Sequence, residues 1–367
     1  MSQPIRVLHV FGALNPGGVE TLVMNLYRAI DTESIQFDFA LTQGKKSLFD
    51  DEVLARGGRI YYFDTSKSLW SNLAEIFEKG KPFAAVHSHV YFYSGAVLLN
   101  AKRHGIPIRI AHAHNTSFGQ VYSLKRRLYE SLMRKLIWNN ATDMLGCSKD
   151  ANEFVFGEGC LDSPKCSVIC NGFHVDSFKY DPSKGREIRK LYSIENKYVV
   201  GHVGRFEDQK NHRQLVEQFA AVKKKRGDAV LLCVGRGSLM DEIRAKCETL
   251  GISDSVIFAG AQKDTPSYYS AMDVFLFPSL YEGLGSVLIE AQANGLYVVT
   301  SKDVVPNDID VTGHAAFVPL EAAAETWAEA VLSAPPRETD GSSMPKVKEL
   351  YDINIVAKKL CEIYCGK

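Results

Sequence analysis

Residues 273–290 decide the fold: Asp273-Val274-Phe275-Leu276-Phe277-Pro278-Ser279-Leu280-Tyr281-Glu282-Gly283-Leu284-Gly285-Ser286-Val287-Leu288-Ile289-Glu290. The run up to Phe277 is short and apolar, as in a strand covered on both faces of a parallel sheet. Pro278 stops it. The segment from Ser279 to Glu282 is polar or permissive, and the glycines that follow let backbone approach a ligand closely. From Ser286 the pattern turns helical: Leu288, Ala291 and Gln292 share a side, and Asn294-Gly295 ends the helix. A strand feeding a helix N-terminus through a glycine loop aims backbone N–H groups and the positive end of the helix dipole at one point, which suits a phosphate. Glu282 in the loop and Glu290 in the helix border that point, and carboxylates accept hydrogen bonds from vicinal hydroxyls. Two readings stand side by side. One is a pocket for a nucleotide sugar; the other is an ordinary strand–loop–helix with a solvated Glu282 and a Glu290 that favours the dipole.

The rest of the chain sets the frame. It has 367 residues, 46% of them hydrophobic, and a formal net charge of +0. That length suggests two domains. The charge balance argues against a dedicated nucleic-acid binder, whose domain is usually basic. No apolar run approaches the roughly 20 residues of a membrane span, and no signal peptide is visible. The eight cysteines are scattered, and Cys160, Cys166 and Cys170 lack paired zinc-ligand spacing. Reduced thiols in a cytoplasmic protein are expected, with no metal site.

Residues 5–11 read as a first buried strand. Gly12-Ala13-Leu14-Asn15-Pro16-Gly17-Gly18 follows, then a helix with Val19, Leu22, Val23, Leu26 and Ile30 on its apolar face. The spacing is not the dinucleotide fingerprint. Gly17-Gly18 at a helix start lets a diphosphate or sugar come close, although glycine at such turns is also common for steric reasons. Further strands are expected at residues 35–41, 59–63, 84–87, 108–112, 144–147 and 167–170. This alternation specifies a parallel sheet with helices on both faces, where ligands bind at strand C-terminal ends.

His87-Ser88-His89 ends one of these strands and His112-Ala113-His114-Asn115 the next, so four of the ten histidines fall at neighbouring strand ends. A single histidine there is best read as structural. The cluster reads as functional, with His114 furthest toward the loop. A histidine metal site would need carboxylate or thiol partners, which the sequence does not place. Residues 123–138 form a basic amphipathic stretch: Leu124, Leu128, Leu132 and Leu136 recur at helical spacing among Lys125, Arg126, Arg127, Arg134 and Lys135. This helix either rests on an anionic membrane surface or packs its leucine stripe on the sheet.

Asp181-Pro182-Ser183-Lys184-Gly185 reads as a linker. A second α/β series begins at Tyr198. Its first strand, residues 199–203, leads into Gly204-Arg205-Phe206-Glu207-Asp208-Gln209-Lys210-Asn211 and a helix from about His212. Arg205 and Lys210 form a guanidinium fork and a point charge at a strand end, the pairing a departing diphosphate needs. Strands at 231–235 and 256–259 follow, with Gly235-Arg236-Gly237 after the first.

Asn15-Pro16-Gly17-Gly18-Val19-Glu20-Thr21, His112-Ala113-His114-Asn115, Asn171-Gly172-Phe173, the Gly204 to Asn211 segment, Gly235-Arg236-Gly237 and the Glu282 to Glu290 element occur in one order. In this the chain resembles the retaining glycosyltransferases of family 4, over nearly its whole length. Its first half looks most like the bacterial exopolysaccharide and capsule subgroup, through Gln36-Phe37-Asp38-Phe39 and His87-Ser88-His89. The resemblance implies an α/β protein of two Rossmann-like parallel-sheet domains facing a central cleft, the GT-B fold. The expected limits are 1–176 for the acceptor-side domain, 177–197 for a linker, 198–345 for the nucleotide-sugar domain, and 346–367 for a C-terminal helix returning to the first domain.

The resemblance also implies roles. Arg205 and Lys210 hold the donor diphosphate, Glu290 binds the ribose, and Glu282 contacts the donor sugar. Amides near Gly285, Ser286 and Val287 meet the phosphates or sugar, with Gly235 in the donor site. Gly17 and Gly18 close the diphosphate from the first domain, and His114 sits beside the reacting sugar. No cofactor or metal is implied. The donor is expected to be a UDP-sugar, and the acceptor a glycan or a polyprenyl-linked oligosaccharide. The expected setting is the cytoplasm or the inner face of the plasma membrane. Leu284-Gly285-Ser286 departs from the family's usual residues after the first glutamate, which leaves the donor sugar open. Other classes fit parts of the pattern: a nucleotide-sugar epimerase, a phosphorylase (which needs pyridoxal phosphate and a longer chain), or a non-catalytic nucleotide-sugar sensor.

Overall fold

The computed structural model describes residues 3–15, 17–114, 123–282, 285–302, 304–305 and 309–366. The motif residues Pro16, Asn115, Gly283 and Leu284 lie outside the described residues. The chain divides into two units. The first comprises Met1–Phe173 together with Leu350–Lys367, and the second His174–Glu349.

The first unit is built on seven strands: β1 (Ile5–Phe11), β2 (Ile35–Leu41), β3 (Ile60–Tyr62), β4 (Ala85–Ser88), β5 (Ile108–Ala113), β6 (Asp143–Gly146) and β7 (Cys166–Val168). They lie in the order β3-β2-β1-β4-β5-β6-β7, and every pairing is parallel. β2 alternates apolar and polar residues yet is buried throughout. Its polar members are satisfied inside: Arg6 Nε donates to Asp38 Oδ2 at 2.6 Å, and the Arg59 amide donates to Asp38 Oδ1 at 2.8 Å. Helix Gly18–Ala29 covers one face with Leu22, Val23, Met24, Leu26 and Tyr27. The later helix Ile353–Tyr364 buries Ile353, Val356, Ala357, Leu360 and Tyr364 in that same core. Its entry is tied by two bonds, Phe173 N–H to Tyr351 O and Ile353 N–H to Phe173 O, both 2.9 Å. The helix therefore returns to the first unit, as the family resemblance implied.

The second unit holds β8 (Tyr198–Val203), β9 (Ala229–Val234), β10 (Val256–Gly260), β11 (Val274–Phe277), β12 (Tyr297–Ser301) and β13 (Ala315–Val318). Their order is β10-β9-β8-β11-β12-β13, again parallel throughout. The sequence reading did not anticipate β12 and β13. Residues 177–197, read as linker, instead carry helix Pro182–Leu191 inside the second unit. Asp181 is its N-cap, accepting from the amides of Ser183 and Lys184 at 2.9 and 3.2 Å, with Pro182 in the first turn. Gly185 is not a flexible joint, because a Cβ there would stand 2.4 Å from Ser270 O. The glycine permits close helix packing.

Each sheet reverses its strand order once, between β1 and β4 and between β8 and β11. In open parallel sheets the segments leaving such a pair diverge and leave a crevice at their C-terminal ends.

Candidate functional site

β8 and β11 pair through Val200 and Phe275's neighbour, Val274, so the segments leaving them start from one place. The loop after β8 is fastened to the next strand end. Gly204 N–H donates to Val234 O and Phe206 N–H to Arg236 O, each at 3.0 Å. Gly235 holds φ +147°, and a Cβ on it would stand 1.9 Å from Gly204 O. Glycine is required at that close approach, so the geometry assigns Gly235 to shaping the Arg205 loop.

Lys210 and Glu282 meet across the switch point, with Nζ 2.5 Å from Oε1 and side-chain exposures of 13% and 6%. That burial separates this pair from solvated surface pairs, whose median worth is small. Ser279 Oγ also lies 2.5 Å from Glu282 Oε1, and Lys210 Nζ sits 4.9 Å from the Phe277 ring centre. Arg205, by contrast, is exposed, and among the described residues its guanidinium makes no ion pair. Beneath the loop, His202 Nδ1–H donates to Leu276 O at 2.9 Å. Burial pushes His202 down to about 4 and His212 to about 2. Both imidazoles are neutral, so the positive charge here belongs to Lys210 and Arg205.

Helix Ser286–Ala293 starts from Gly285 at φ +72°, with no side chain capping it. Leu288 N–H turns back to Gly285 O at 2.8 Å; the amides of Ser286 and Val287, at the head of the helix, have no intrahelical acceptor. One turn on, Tyr269 OH donates to Glu290 Oε2 at 2.8 Å. Part of Glu290 stays accessible, but burial still pushes its pKa up from 4.5 to about 7, with Tyr269 and Lys210 pulling the other way.

In the first unit, Gly17 caps helix Gly18–Ala29 without a side-chain bond, and a Cβ at Gly17 would lie 2.4 Å from Glu20 Oε2. The strand-end histidines form a buried cluster joined by His9. The register sets His9 beside His87, and the period-two pleat puts His9, His87, His89, His112 and His114 on one face. Two hydrogen-bonded chains result. In one, Tyr364 OH meets His87 Nδ1 at 2.7 Å, and His87 Nε2 meets His112 Nδ1 at 3.0 Å. In the other, His9 Nδ1 meets His89 Nε2 at 3.1 Å, and His89 Nδ1 meets His114 Nε2 at 2.9 Å. Burial pushes His9 and His114 down to about 3 and the other three well below their ordinary value.

Residues 16–177 match the family model described as Glycosyltransferase Family 4, and residues 183–335 that described as Glycosyl transferases group 1. The chain is 34% identical over 343 residues to EpsF of Bacillus subtilis (strain 168), a glycosyltransferase by name, covering 90% of this chain and 89% of that one. The chain belongs to the family 4 glycosyltransferases. It is also 26% identical over 368 residues to the capsular polysaccharide biosynthesis glycosyltransferase CapH of Staphylococcus aureus, covering 99% of both. Among solved structures, Anabaena Alr3699/HepE in complex with UDP shares the fold at a TM-score of 0.82 and 17% identity over 100% of both chains. The GT-B fold and the family inferred from the sequence are both met.

In this family 4 glycosyltransferase, the second unit gathers Arg205, Lys210, Glu282, Gly285, Ser286, Val287 and Glu290 around the β8/β11 switch point. Gly17, Gly18 and His114 lie in the first unit. Sequence reasoning missed four participants. Ser279 precedes Glu282 by three residues, and His9 is a lone polar ring in an apolar strand, a signal that strand alternation with His87 and His89 makes usable. Tyr269 and Tyr364 gave no local signal. The two readings of the basic helix also separate. In Leu124–Asn140 the buried residues are Glu130, Met133, Ile137 and Asn140. Leu124, Leu128 and Leu132 are 74%, 64% and 54% exposed, so these three do not pack on the sheet, while Leu136 is half-buried beside Gly95. Among the described residues no helix is long and apolar enough to cross a membrane.

Proposed function

We propose that this glycosyltransferase moves a sugar from a UDP-sugar to a hydroxyl of a lipid-linked glycan in bacterial surface polysaccharide synthesis, with retention of anomeric configuration. The observation that carries this reading is the β8/β11 switch point. Two cations, an uncapped helix N-terminus and two carboxylates, the buried Glu282 and the partly accessible Glu290, converge there. The first three suit a diphosphate, and the carboxylates suit the hydroxyls on either side of it. HepE, solved with UDP, and CapH, named for capsule synthesis, support the donor base and the pathway.

In this reading Glu290 accepts from the ribose hydroxyls and Glu282 from the sugar. The acceptor hydroxyl attacks the anomeric carbon on the face the diphosphate leaves, and the departing phosphate oxygen takes its proton. Arg205 and the amides of Ser286 and Val287 hold the developing charge. Lys210 shares its ammonium between Glu282 and the phosphate. In the first unit, Gly17 and Gly18 open helix Gly18–Ala29 without a side-chain cap, which suits an anion. Burial holds His114 neutral, so it is not assigned as a proton donor. Fixed cations at the diphosphate make a divalent ion unnecessary there. The exposed leucines and the basic residues of Leu124–Asn140 seat the enzyme on the anionic cytoplasmic face of the membrane, where a polyprenyl-linked acceptor resides.

The test is calorimetry with a panel of nucleotide sugars, with and without added Mg2+, followed by NMR of the product anomer. Binding of one UDP-sugar at an affinity Mg2+ does not change, and a product of the donor's own configuration, are expected. Binding that needs Mg2+, or an inverted product, would overturn the donor chemistry assigned to Arg205 and Lys210.

A further inference from the structure

The histidine cluster of the first unit holds more ring nitrogens than its two hydrogen-bonded chains can satisfy. His9 Nε2, His112 Nε2 and His114 Nδ1 are buried without a partner of normal geometry, as is Asn171 Oδ1. Each neutral imidazole supplies one N–H and one lone pair. Whichever way Tyr364 orients the chain through His87, His112 Nε2 ends unpaired. Whichever way the chain from His9 through His89 runs, one of its ends does too. Buried unpaired polar atoms are costly, and each calls for an explanation.

One ring nitrogen from each of His89, His112 and His114 lies within 4.8 Å of the others. We infer that these three histidines bind one Zn2+ ion, through His89 Nδ1, His112 Nε2 and His114 Nε2, with a fourth position open to water or a hydroxyl. The remaining nitrogens supply the outward bonds that metal-bound histidines characteristically make. His89 Nε2–H donates to His9 Nδ1, and His112 Nδ1–H donates to His87 Nε2, whose Nδ1–H reaches Tyr364. His114 Nδ1–H is left to face Asn171, which is close enough to favour the protonated form of His114. His9 Nε2 alone stays unpaired. Two nitrogens on a tetrahedral zinc lie roughly 3.3 Å apart at a bond length of about 2.05 Å. The 2.9 Å contact between His89 and His114 must therefore open by a few tenths of an ångström, and His112 must draw in.

Three neutral imidazoles with no carboxylate select a borderline transition ion over Mg2+ or Ca2+. Three protein nitrogens with an open fourth place are a known zinc arrangement. The sequence showed all three of these rings at neighbouring strand ends, but not the unpaired atoms. The site shares only His114 with the donor reading, so activity is not its readout.

The test strips full-length protein with a chelator, then titrates it with Zn2+ and separately with Mg2+, reading stoichiometry by calorimetry and ring-nitrogen shifts by 15N NMR. One Zn2+ per chain is expected, with coordination shifts at His89, His112 and His114, a higher Tm, and no Mg2+ binding. His112→Ala should abolish binding. His87→Gln, which keeps the three ligands and loses an outward partner, should weaken it about 10–100-fold. If His112→Ala fails to fold, the NMR shifts of the unaltered protein decide. No Zn2+ binding, or ring shifts unchanged by Zn2+, overturns the inference, as does full binding by a folded His112→Ala variant.

Discussion

The two sheets place opposite chemistry at equivalent points. Both run parallel strands and reverse order once. On the face of β1, β4 and β5 lie five buried imidazoles, all held neutral. At β8/β11 the crevice is bordered by Arg205, Lys210, Glu282 and Glu290, three of them charged and Glu290 poised near neutrality. Topology thus supplies a position, and the side chains at the strand ends decide which ligand it takes. A set of fixed cations waits for an anion; a set of lone pairs waits for a cation or a hydroxyl.

That contrast breaks most sharply at Lys210. Lys210→Ala removes a phosphate cation and leaves Glu282, a mostly buried carboxylate, without its cation. Turnover should fall by about two to three orders of magnitude. Stability should fall by about 2–4 kcal/mol, toward the low side of a buried-pair loss because some solvent reaches the pair. Steady-state kinetics and urea unfolding check both. Arg205→Ala should lower turnover on the same scale, about 10²–10³-fold, but leave the urea midpoint in place, because Arg205 is exposed and unpaired. Equal stability losses in the two variants would erase the distinction drawn between them.

Glu290 sharpens the comparison through pH. Its raised pKa means that the folded state holds a proton the unfolded chain releases. This contribution to apo stability is therefore full below pH 4.5 and is lost as pH rises through about 7. Donor binding runs oppositely, since the ionised carboxylate is the better acceptor for ribose hydroxyls. UDP affinity should rise several-fold from pH 6 to 8, and Glu290→Gln should flatten that slope in calorimetry. The smallest effect is expected at the membrane helix. Leu128→Glu should release the protein from anionic liposomes in sedimentation while leaving turnover on a soluble acceptor intact; unchanged sedimentation would reassign the exposed stripe.

Much of this was legible in the sequence. Strands covered on both faces read as apolar runs, so most of them emerged within a residue or two. The Glu282 to Glu290 element also emerged, because loop, helix start and carboxylates are contiguous. What failed did so for physical reasons. Asp181-Pro182 is both a turn signal and a helix start, and Gly185 looked flexible when it was packed. A leucine stripe has the same period whether it faces a core or solvent, so only the three-dimensional placement of Met133 and Ile137 could settle which face was buried. Tyr269 reaches Glu290 from another helix, a contact no local pattern encodes.

The helix Ile353–Tyr364 belongs to the core laid down by Leu22, Val23 and Phe37, and its Tyr364 anchors His87. On a ribosome, the first unit is begun first and completed last. Every residue from His174 to Glu349 must emerge before its apolar face is covered. During that interval, the exposed surface around helix Gly18–Ala29 is the natural target for a chaperone. A stop codon anywhere after Glu349 would injure the opposite end of the chain from the one it shortens.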